Sequence, residues 1–92
     1  MDKYKIFETN EFLSKLEKIT SREKSFIEKK LIKYVYPQLR EEPHFGNNIK
    51  KLVNYKPETW RYRIGKHRLF YVIEESVKTI YLLSIDLRKE AY

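Results

Sequence analysis

The chain has 92 residues, which is enough for one folded domain with a single modest core. It has no cysteine and two histidines, so disulfides and thiolate metal sites are excluded, and neither a metal nor another cofactor is expected. The net charge of +7 favours an acidic partner, namely nucleic acid, an anionic membrane or an acidic protein.

The N-terminal part of the chain predicts a short strand followed by a short helix. Residues 3–8 alternate weakly in polarity, as a strand does, and end at Thr9-Asn10, which can cap a following helix. Apolar residues then keep helical spacing up to Ile19. No long apolar run follows Met1, so we expect neither a signal peptide nor a membrane span, and a cytoplasmic location.

A second helix is predicted to begin at Ser21, with apolar residues recurring at three- and four-residue steps. Pro37 interrupts this pattern. Because proline removes an internal hydrogen bond and disfavours helical geometry just before it, the helix should break or kink near Tyr36. Residues 38–42 would then form a separate terminal turn.

The second half of the chain predicts four strands joined by short connections. They span residues 49–55, 59–64, 67–74 and 77–85. The connections are short enough for an antiparallel meander. Helices followed by strands indicate an α+β fold, in which a single domain spanning residues 1–92 packs its helices on one face of the sheet.

A two-residue turn at Gly65 and Lys66 divides the central hairpin into two faces. The register pairs position 63 with 68 and position 61 with 70, which brings four side chains onto one face: Arg61, Arg63, Arg68 and Phe70. The other face receives Trp60, Tyr62, Leu69 and Tyr71, and the helices should pack against it. We call the face opposite the helices the open face.

The open face lies in the most basic part of the sequence, since residues 49–70 contain seven lysines or arginines and one acid, Glu58. Guanidinium groups held opposite each other cost stability unless an anion neutralises them, and phosphate fits the arginine fork best. The pattern therefore predicts a phosphate-binding surface, with Arg68 as a surface arginine whose removal costs little stability. A basic face that binds an acidic partner without chemistry fits the residue types equally well.

Cutting RNA without a metal requires three tasks, and the open face offers groups for them. A ribose 2′-OH must lose its proton, the phosphorane-like transition state must be neutralised, and the leaving 5′ oxygen must gain a proton. Arginine suits the second task because it stays charged and binds phosphate with two N–H donors. A tyrosine or lysine with a lowered pKa would serve the first or third.

Other charged and aromatic residues are weaker candidates. RNA-binding roles are predicted for Lys50, Lys51, Lys66, Phe70 and Lys89. The two strand lysines among them are equally typical of edge charges that discourage strand pairing. Strand alternation places His67 on the helix side, where we interpret it as structural, and His44 lies in a loop where a solvated or stacked ring is expected.

Three motifs and the C-terminus together resemble the toxins of the RelE/ParE superfamily. They are Asn48-Ile49-Lys50-Lys51-Leu52, Thr59-Trp60-Arg61-Tyr62-Arg63-Ile64-Gly65, His67-Arg68-Leu69-Phe70-Tyr71, and Arg88 with Tyr92. The resemblance implies two helices on one face of a largely antiparallel sheet. RelE and YoeB members cut messenger RNA, usually in the ribosomal A site, by 2′-OH attack without a metal, whereas ParE members poison DNA gyrase.

The resemblance also implies roles for individual residues. Arg61 and Arg63 match the two basic residues of the catalytic strand, and Arg68 matches the arginine that binds the scissile phosphate. Arg88 and Tyr92 match the C-terminal arginine and tyrosine. Relatives often carry histidine at the positions of Leu87 and Ala91, so a histidine general base is not expected in this chain.

Retention of the arginines and Tyr92 favours a ribosome-dependent mRNA endoribonuclease over a gyrase poison. A non-catalytic module that binds RNA or protein is a further alternative. The family resemblance implies a cognate antitoxin whose acidic segment wraps the toxin, and the charge of +7 suits such a partner.

Overall fold

A five-stranded sheet carries helices on one face in the computed structural model, which describes residues 3–87. The strands are β1 (Lys5–Glu8), β2 (Ile49–Lys51), β3 (Trp60–Ile64), β4 (His67–Glu74) and β5 (Thr79–Leu87). Their order across the sheet is β1-β5-β4-β3-β2. The first strand is parallel to β5 and the other neighbours are antiparallel, so the predicted α+β fold is confirmed with a mixed sheet.

The helical part consists of α1 (Asn10–Glu17), α2 (Ser21–Lys30), a π-helical turn (Leu31–Val35) and α3 (Tyr36–Glu41). Thr9 caps α1 as expected, because its hydroxyl accepts a hydrogen bond from the Phe12 amide at 3.2 Å. The same hydroxyl donates to the Leu82 carbonyl at 2.5 Å. This pair of bonds fixes the start of α1 against β5.

Of the break or kink predicted near Tyr36, the break is wrong, since helical structure continues from Ser21 through Pro37 to Glu41, and residues 38–42 form no separate turn. The helix is instead deformed by the π-helical turn directly before Tyr36. The Tyr36 amide donates to the Leu31 carbonyl, five residues back, which is the bond of a π-turn. A proline ring clashes with the carbonyl four residues earlier in a regular α-helix. Here the wider turn directly precedes the proline, which lies in the first turn of α3, so the helix is deformed instead of ended.

The boundaries of β2 and β5 differ from the prediction. The second strand ends at Lys51, and the chain then forms a loop in which Asn54 has a φ of 64°. Residues 75–77 form a 3₁₀ turn, followed by Lys78 with a φ of 48°. This left-handed residue delays the start of β5 by two residues, and the strand extends to Leu87.

The core lies between the helices and the apolar face of the sheet. Its members are Tyr4, Phe12, Leu16, Ile27, Leu31, Val35, Leu39, Tyr62, Ile64, Leu69, Tyr71, Ile80, Leu82 and Ile85. Trp60 is partly buried against them, so the predicted assignment of the hairpin residues to the helix side is confirmed. The Tyr71 hydroxyl donates to the Pro43 carbonyl at 2.8 Å and thereby satisfies a buried polar group.

The segment after α3 is attached to the sheet by a histidine between two carboxylates. His44 Nδ1 lies 2.9 Å from Glu42 Oε2, and His44 Nε2 lies 2.8 Å from Glu75 Oε2. The sequence suggested a solvated or stacked ring. The ring does stand edge-on to Trp60, at 5.4 Å between centroids, but the two carboxylates hold it in a bridge between loop and turn.

Hydrogen bonds hold the pKa of both carboxyls below its ordinary value. The amide of His44, followed by its ring, lowers the pKa of Glu42. The pKa of Glu75 is lowered first by the ammonium of Lys78 and then by the Tyr4 hydroxyl and the His44 ring. A depressed carboxyl pKa stabilises the fold above the unfolded value of about 4.3 and loses that stabilisation as the pH falls through the lower folded value.

We therefore predict that Glu75→Gln lowers the melting temperature at pH 7 because it removes the charge that three neighbours contact. The difference from the wild type should shrink as the pH falls below the unfolded value of about 4.3 and through the lowered folded pKa of Glu75, because the wild-type carboxyl then becomes protonated as well. Thermal melts followed by circular dichroism across this range measure it. Glu28→Gln, on the exposed side of α2, is the control, and a deficit of Glu75→Gln that does not diminish as the pH is lowered contradicts the prediction.

Candidate nucleic-acid interface

The strand register brings basic side chains from three strands onto the open face. Arg61 pairs with Phe70 and Arg63 pairs with Arg68, as predicted. The neighbouring strands extend these pairs into two rows, which we call the arginine rows: Lys50, Arg61, Phe70 and Ser84 in one, and Arg63, Arg68 and Asp86 in the other.

The hairpin turn that sets this register requires a glycine. Gly65 has a φ of 59°, a conformation that side chains with a Cβ rarely adopt. A Cβ there would also lie 3.4 Å from the ring of Phe26 on α2. Because a slip of one residue would turn every side chain to the other face, this turn determines which side receives the arginines.

Arg68 is more enclosed than the sequence suggested, with 9% of its surface exposed. Its guanidinium carbon lies 5.6 Å from the centroid of the Phe70 ring, within range of a cation–π interaction. The Nε atoms of Arg68 and Arg61 are both buried. The expectation of a surface arginine that can be removed at little cost is therefore wrong, because strand alternation predicts the face of a residue and not its depth.

Asp86 is an acidic group within the arginine rows. It accepts hydrogen bonds from the Ser84 hydroxyl at 2.6 Å and from the Lys15 ammonium at 2.9 Å. Burial raises the pKa of Asp86, but the Ser84 and Lys15 hydrogen bonds and the positive charge of Arg68 outweigh this effect and lower it. A carboxylate thus remains ionised beside Arg68 and reduces the repulsion among the guanidinium groups.

Sequence reasoning missed Ser84 and Asp86 as members of the site. The predicted strand ended at residue 85, which left the aspartate in the tail. Simple alternation could not have identified them, because it places Ser84 and Asp86 on the same face as the buried Leu82. The pairing of β4 with β5 contains a bulge, in which Phe70 pairs with Ser84 and Tyr71 with Leu82, and this shift brings Ser84 and Asp86 to the open face.

The structure separates the predicted RNA-binding lysines. Lys50 joins the open face next to Arg61. Lys51 is directed to the other face, where its ammonium lies 3.0 Å from Glu58 and 5.9 Å from the Trp60 ring centroid. Lys66 lies in the hairpin turn, 3.9 Å from Glu23 of α2. Three further predicted residues, Arg88, Lys89 and Tyr92, lie outside the described residues.

His67 lies on the helix side, as alternation predicted, and is 6% exposed. Its Nε2 lies 3.8 Å from a carboxylate oxygen of Glu23. The ring is therefore separated from the arginine rows by the sheet itself, which supports the structural interpretation.

Within residues 3–87, arginines on the open face can neutralise charge, but no tyrosine or lysine with a shifted pKa there has the lowered value that proton transfer would need. The pKa of Tyr4, Tyr36 and Tyr71 is raised, in each case first by burial. Hydrogen bonds to carboxylates raise the pKa of three lysines, at positions 15, 24 and 78. Every tyrosine or lysine shift found within residues 3–87 thus goes against the lowered pKa that proton transfer near neutral pH requires.

Across residues 3–87 no helix is both long and apolar enough to cross a membrane.

Comparison with solved structures identifies the fold. The RelE–RelB complex of the archaeon Pyrococcus horikoshii superposes with a TM-score of 0.69 and 18% identity, covering 94% of this chain and 96% of that one. The toxin–antitoxin complex RelBE2 of Mycobacterium tuberculosis gives 0.69 and 24% identity, covering 92% and 98%. A double arginine-to-alanine mutant of Escherichia coli RelE in the free state gives 0.68 and 19%, covering 99% and 88%.

Sequence comparison identifies the family. No curated protein sequence matches the chain. A family model described as the ParE toxin of the type II toxin-antitoxin system parDE matches residues 6–92. Because this match spans nearly the whole chain and the fold is that of RelE toxins, the chain belongs to the ParE toxin family, in the RelE/ParE superfamily of type II toxin–antitoxin systems.

Proposed function

We propose that this toxin is a metal-independent endoribonuclease that cuts messenger RNA, in the manner of RelE, and that it acts on the ribosome. The observation that carries the proposal is the pair of arginine rows. Arg61 and Arg63 lie on the same face of β3, and Arg68 of β4 faces Arg63. The fold of the RelE structures supports this choice.

The arginine rows suit the charge that develops when a 2′-oxygen attacks the neighbouring phosphate. The pentavalent transition state carries more negative charge than the bound RNA, so fixed guanidinium groups stabilise it more than the ground state. Arg68 is held by the Phe70 ring and the surrounding side chains, Arg63 faces it from β3, and Arg61 faces Phe70. Little reorganisation is then needed when the reaction occurs, and Phe70 offers a ring on which an adjacent base can stack.

We assign proton transfer to the C-terminal residues. Arg88 and Tyr92 match the family's closing motif, and the tyrosines with a shifted pKa among the described residues have it raised. We propose that the Tyr92 hydroxyl or ring takes part in the reaction, with Arg88 and Lys89 contacting RNA.

We predict that removing Tyr92 slows cleavage by about ten- to a thousandfold, the range usual for lost orienting or proton-transfer groups. Tyr92→Phe separates the two roles, since near-wild-type activity assigns stacking and a loss as large as that of Tyr92→Ala assigns the hydroxyl. Single-turnover cleavage of a defined messenger RNA measures both. Unchanged cleavage by a variant that ends at Ala91 excludes any role for Tyr92.

A second function is favoured by one specific observation, the match to the ParE family model. ParE members poison DNA gyrase, and they share this fold. The two functions differ in their products, because a gyrase poison causes double-strand breaks in DNA and leaves messenger RNA intact.

The partner that we propose is an antitoxin with an acidic segment. Two structural neighbours are complexes of a RelE-type toxin with its antitoxin. The net charge of +7 would attract an acidic chain, and such a segment could neutralise the arginine rows.

Expression of the toxin in cells tests the nuclease against the gyrase poison. We expect new 5′-OH ends in translated messenger RNA, with DNA supercoiling unchanged. Translation extracts containing purified toxin should give the same ends, and removing the ribosomes should abolish them. DNA breaks made by the toxin with purified gyrase, together with intact translated messenger RNA in the expressing cells, would overturn the proposal in favour of the ParE activity.

A further inference from the structure

An aromatic patch adjoins the arginine rows on the open face. It consists of Phe7, Val72 and Tyr81, which are in register across β1, β5 and β4. The rings of Phe7 and Tyr81 lie 5.6 Å apart between centroids and are tilted by 53°. Phe7 is 55% exposed, a high value for a phenylalanine in a strand whose neighbour Ile6 packs on the core.

The position of this patch relates it to the arginine rows. Val72 follows Phe70 by two residues on β4, a step of about 7 Å along a strand, and Tyr81 lies one strand further. The rings are thus on the order of 15 Å from Arg61 and Arg68 by strand geometry. An extended single strand of RNA covers such a distance within about two nucleotides.

We propose that Phe7 and Tyr81 form a stacking site for an RNA base near the scissile phosphate, which rests on the nuclease function proposed above. Aromatic faces bind bases regardless of sequence, and single-strand binders combine them with cations that follow the backbone. Here the cations are already present on the same face, with Lys5 two residues before Phe7 on β1 and Lys50 and Arg61 beyond Phe70. This combination of charge and rings suits a nucleic acid strand better than an apolar protein surface.

Binding of uncleavable RNA tests the stacking site. The full-length chain is titrated with random-sequence 2′-O-methyl oligonucleotides, which lack the attacking hydroxyl, and with abasic oligonucleotides of equal length, and anisotropy is recorded. The Phe7→Ala and Tyr81→Ala double variant should bind the base-containing strand about 5- to 150-fold more weakly, the range for one lost stacking interaction. Its affinity for the abasic strand should not change, because the phosphate contacts remain.

Single variants at Phe7 should fold, because this ring is exposed. They therefore test the stacking site even if the double variant does not fold. Phe7→Leu keeps the apolar area and should lose affinity, whereas Phe7→Trp keeps an aromatic face and should retain it. Phe26→Ala removes a phenylalanine of similar exposure, 48%, from α2 on the other side of the sheet and serves as the control. Circular dichroism verifies folding of each variant.

The outcomes separate this inference from the nuclease proposal. One outcome is that RNA cleavage requires Arg61 but the aromatic variants bind both oligonucleotides as tightly as the wild type does. This outcome refutes the stacking site and leaves the nuclease proposal intact. The aromatic patch then fits a protein partner instead. Equal loss on base-containing and abasic strands also refutes stacking. If the wild type binds neither oligonucleotide and cuts no RNA, both proposals fail together.

Discussion

Replacing Arg68 by lysine should lower RNA cleavage by about a hundred- to a thousandfold while the chain still folds, since one donor to the developing charge is lost. Lysine keeps the positive charge but not the planar fork that holds two phosphate oxygens. The stem of lysine also fills much of the space beside Phe70, so folding should be retained. Single-turnover cleavage and thermal melts measure the two effects separately.

Arg68→Ala is expected to act differently, because the side chain is 9% exposed. Removing it should abolish cleavage and also lower the free energy of unfolding by about 1–2 kcal/mol through lost packing. Arg22→Lys, at an exposed position on α2, makes the same chemical change away from the open face and should leave cleavage unaltered. Full activity of a folded Arg68→Lys variant would remove Arg68 from the proposed site.

Phe12→Ala should reduce the free energy of unfolding by about 3–5 kcal/mol, as expected for the loss of a phenylalanine ring from a filled core. This side chain is completely buried between α1 and the sheet. The adjacent residue provides a matched control, because Leu13 is 40% exposed on the same helix, and Leu13→Ala should cost less than about 1 kcal/mol. Urea unfolding of the two variants measures the difference, and equal losses would contradict the assignment of the buried face of α1.

The hairpin could be predicted from the sequence because two independent signals agree there. Gly65 permits the left-handed turn, and the alternation on either side sorts the residues into an apolar and a basic face. Either signal alone would leave the register ambiguous. Their agreement accounts for the correct pairing of Arg63 with Arg68 and of Arg61 with Phe70.

Other features depend on contacts between distant parts of the chain, and local patterns do not contain them. The enclosure of Arg68 follows from its place on β4, the central strand, with neighbours on both sides. Asp86 belongs to the site because β5 continues to Leu87 and because a bulge in its pairing with β4 shifts the alternation of its side chains. Lys15 reaches Asp86 only because α1 packs beside the end of that strand.

Pro37 shows a second reason why the sequence alone did not predict the helix correctly. The rule that proline ends a helix holds for a regular α-helix, and the five-residue hydrogen bond from Tyr36 to Leu31 changes the local geometry. Val35 and Leu39, on either side of the proline, are both buried in the core. Packing on both sides therefore outweighs the local preference.

The parallel pairing of β1 with β5 gives the chain a late folding step. Lys5 pairs with Thr79, so the first strand can find its neighbour only once β5 is present. Contacts this far apart in sequence form slowly, because a long loop must be closed before they contribute stability. Since β5 also supplies Ser84 and Asp86, the arginine rows are incomplete until this strand has paired with β4. The surface proposed to bind RNA is therefore a product of the whole sheet and not of the central hairpin alone.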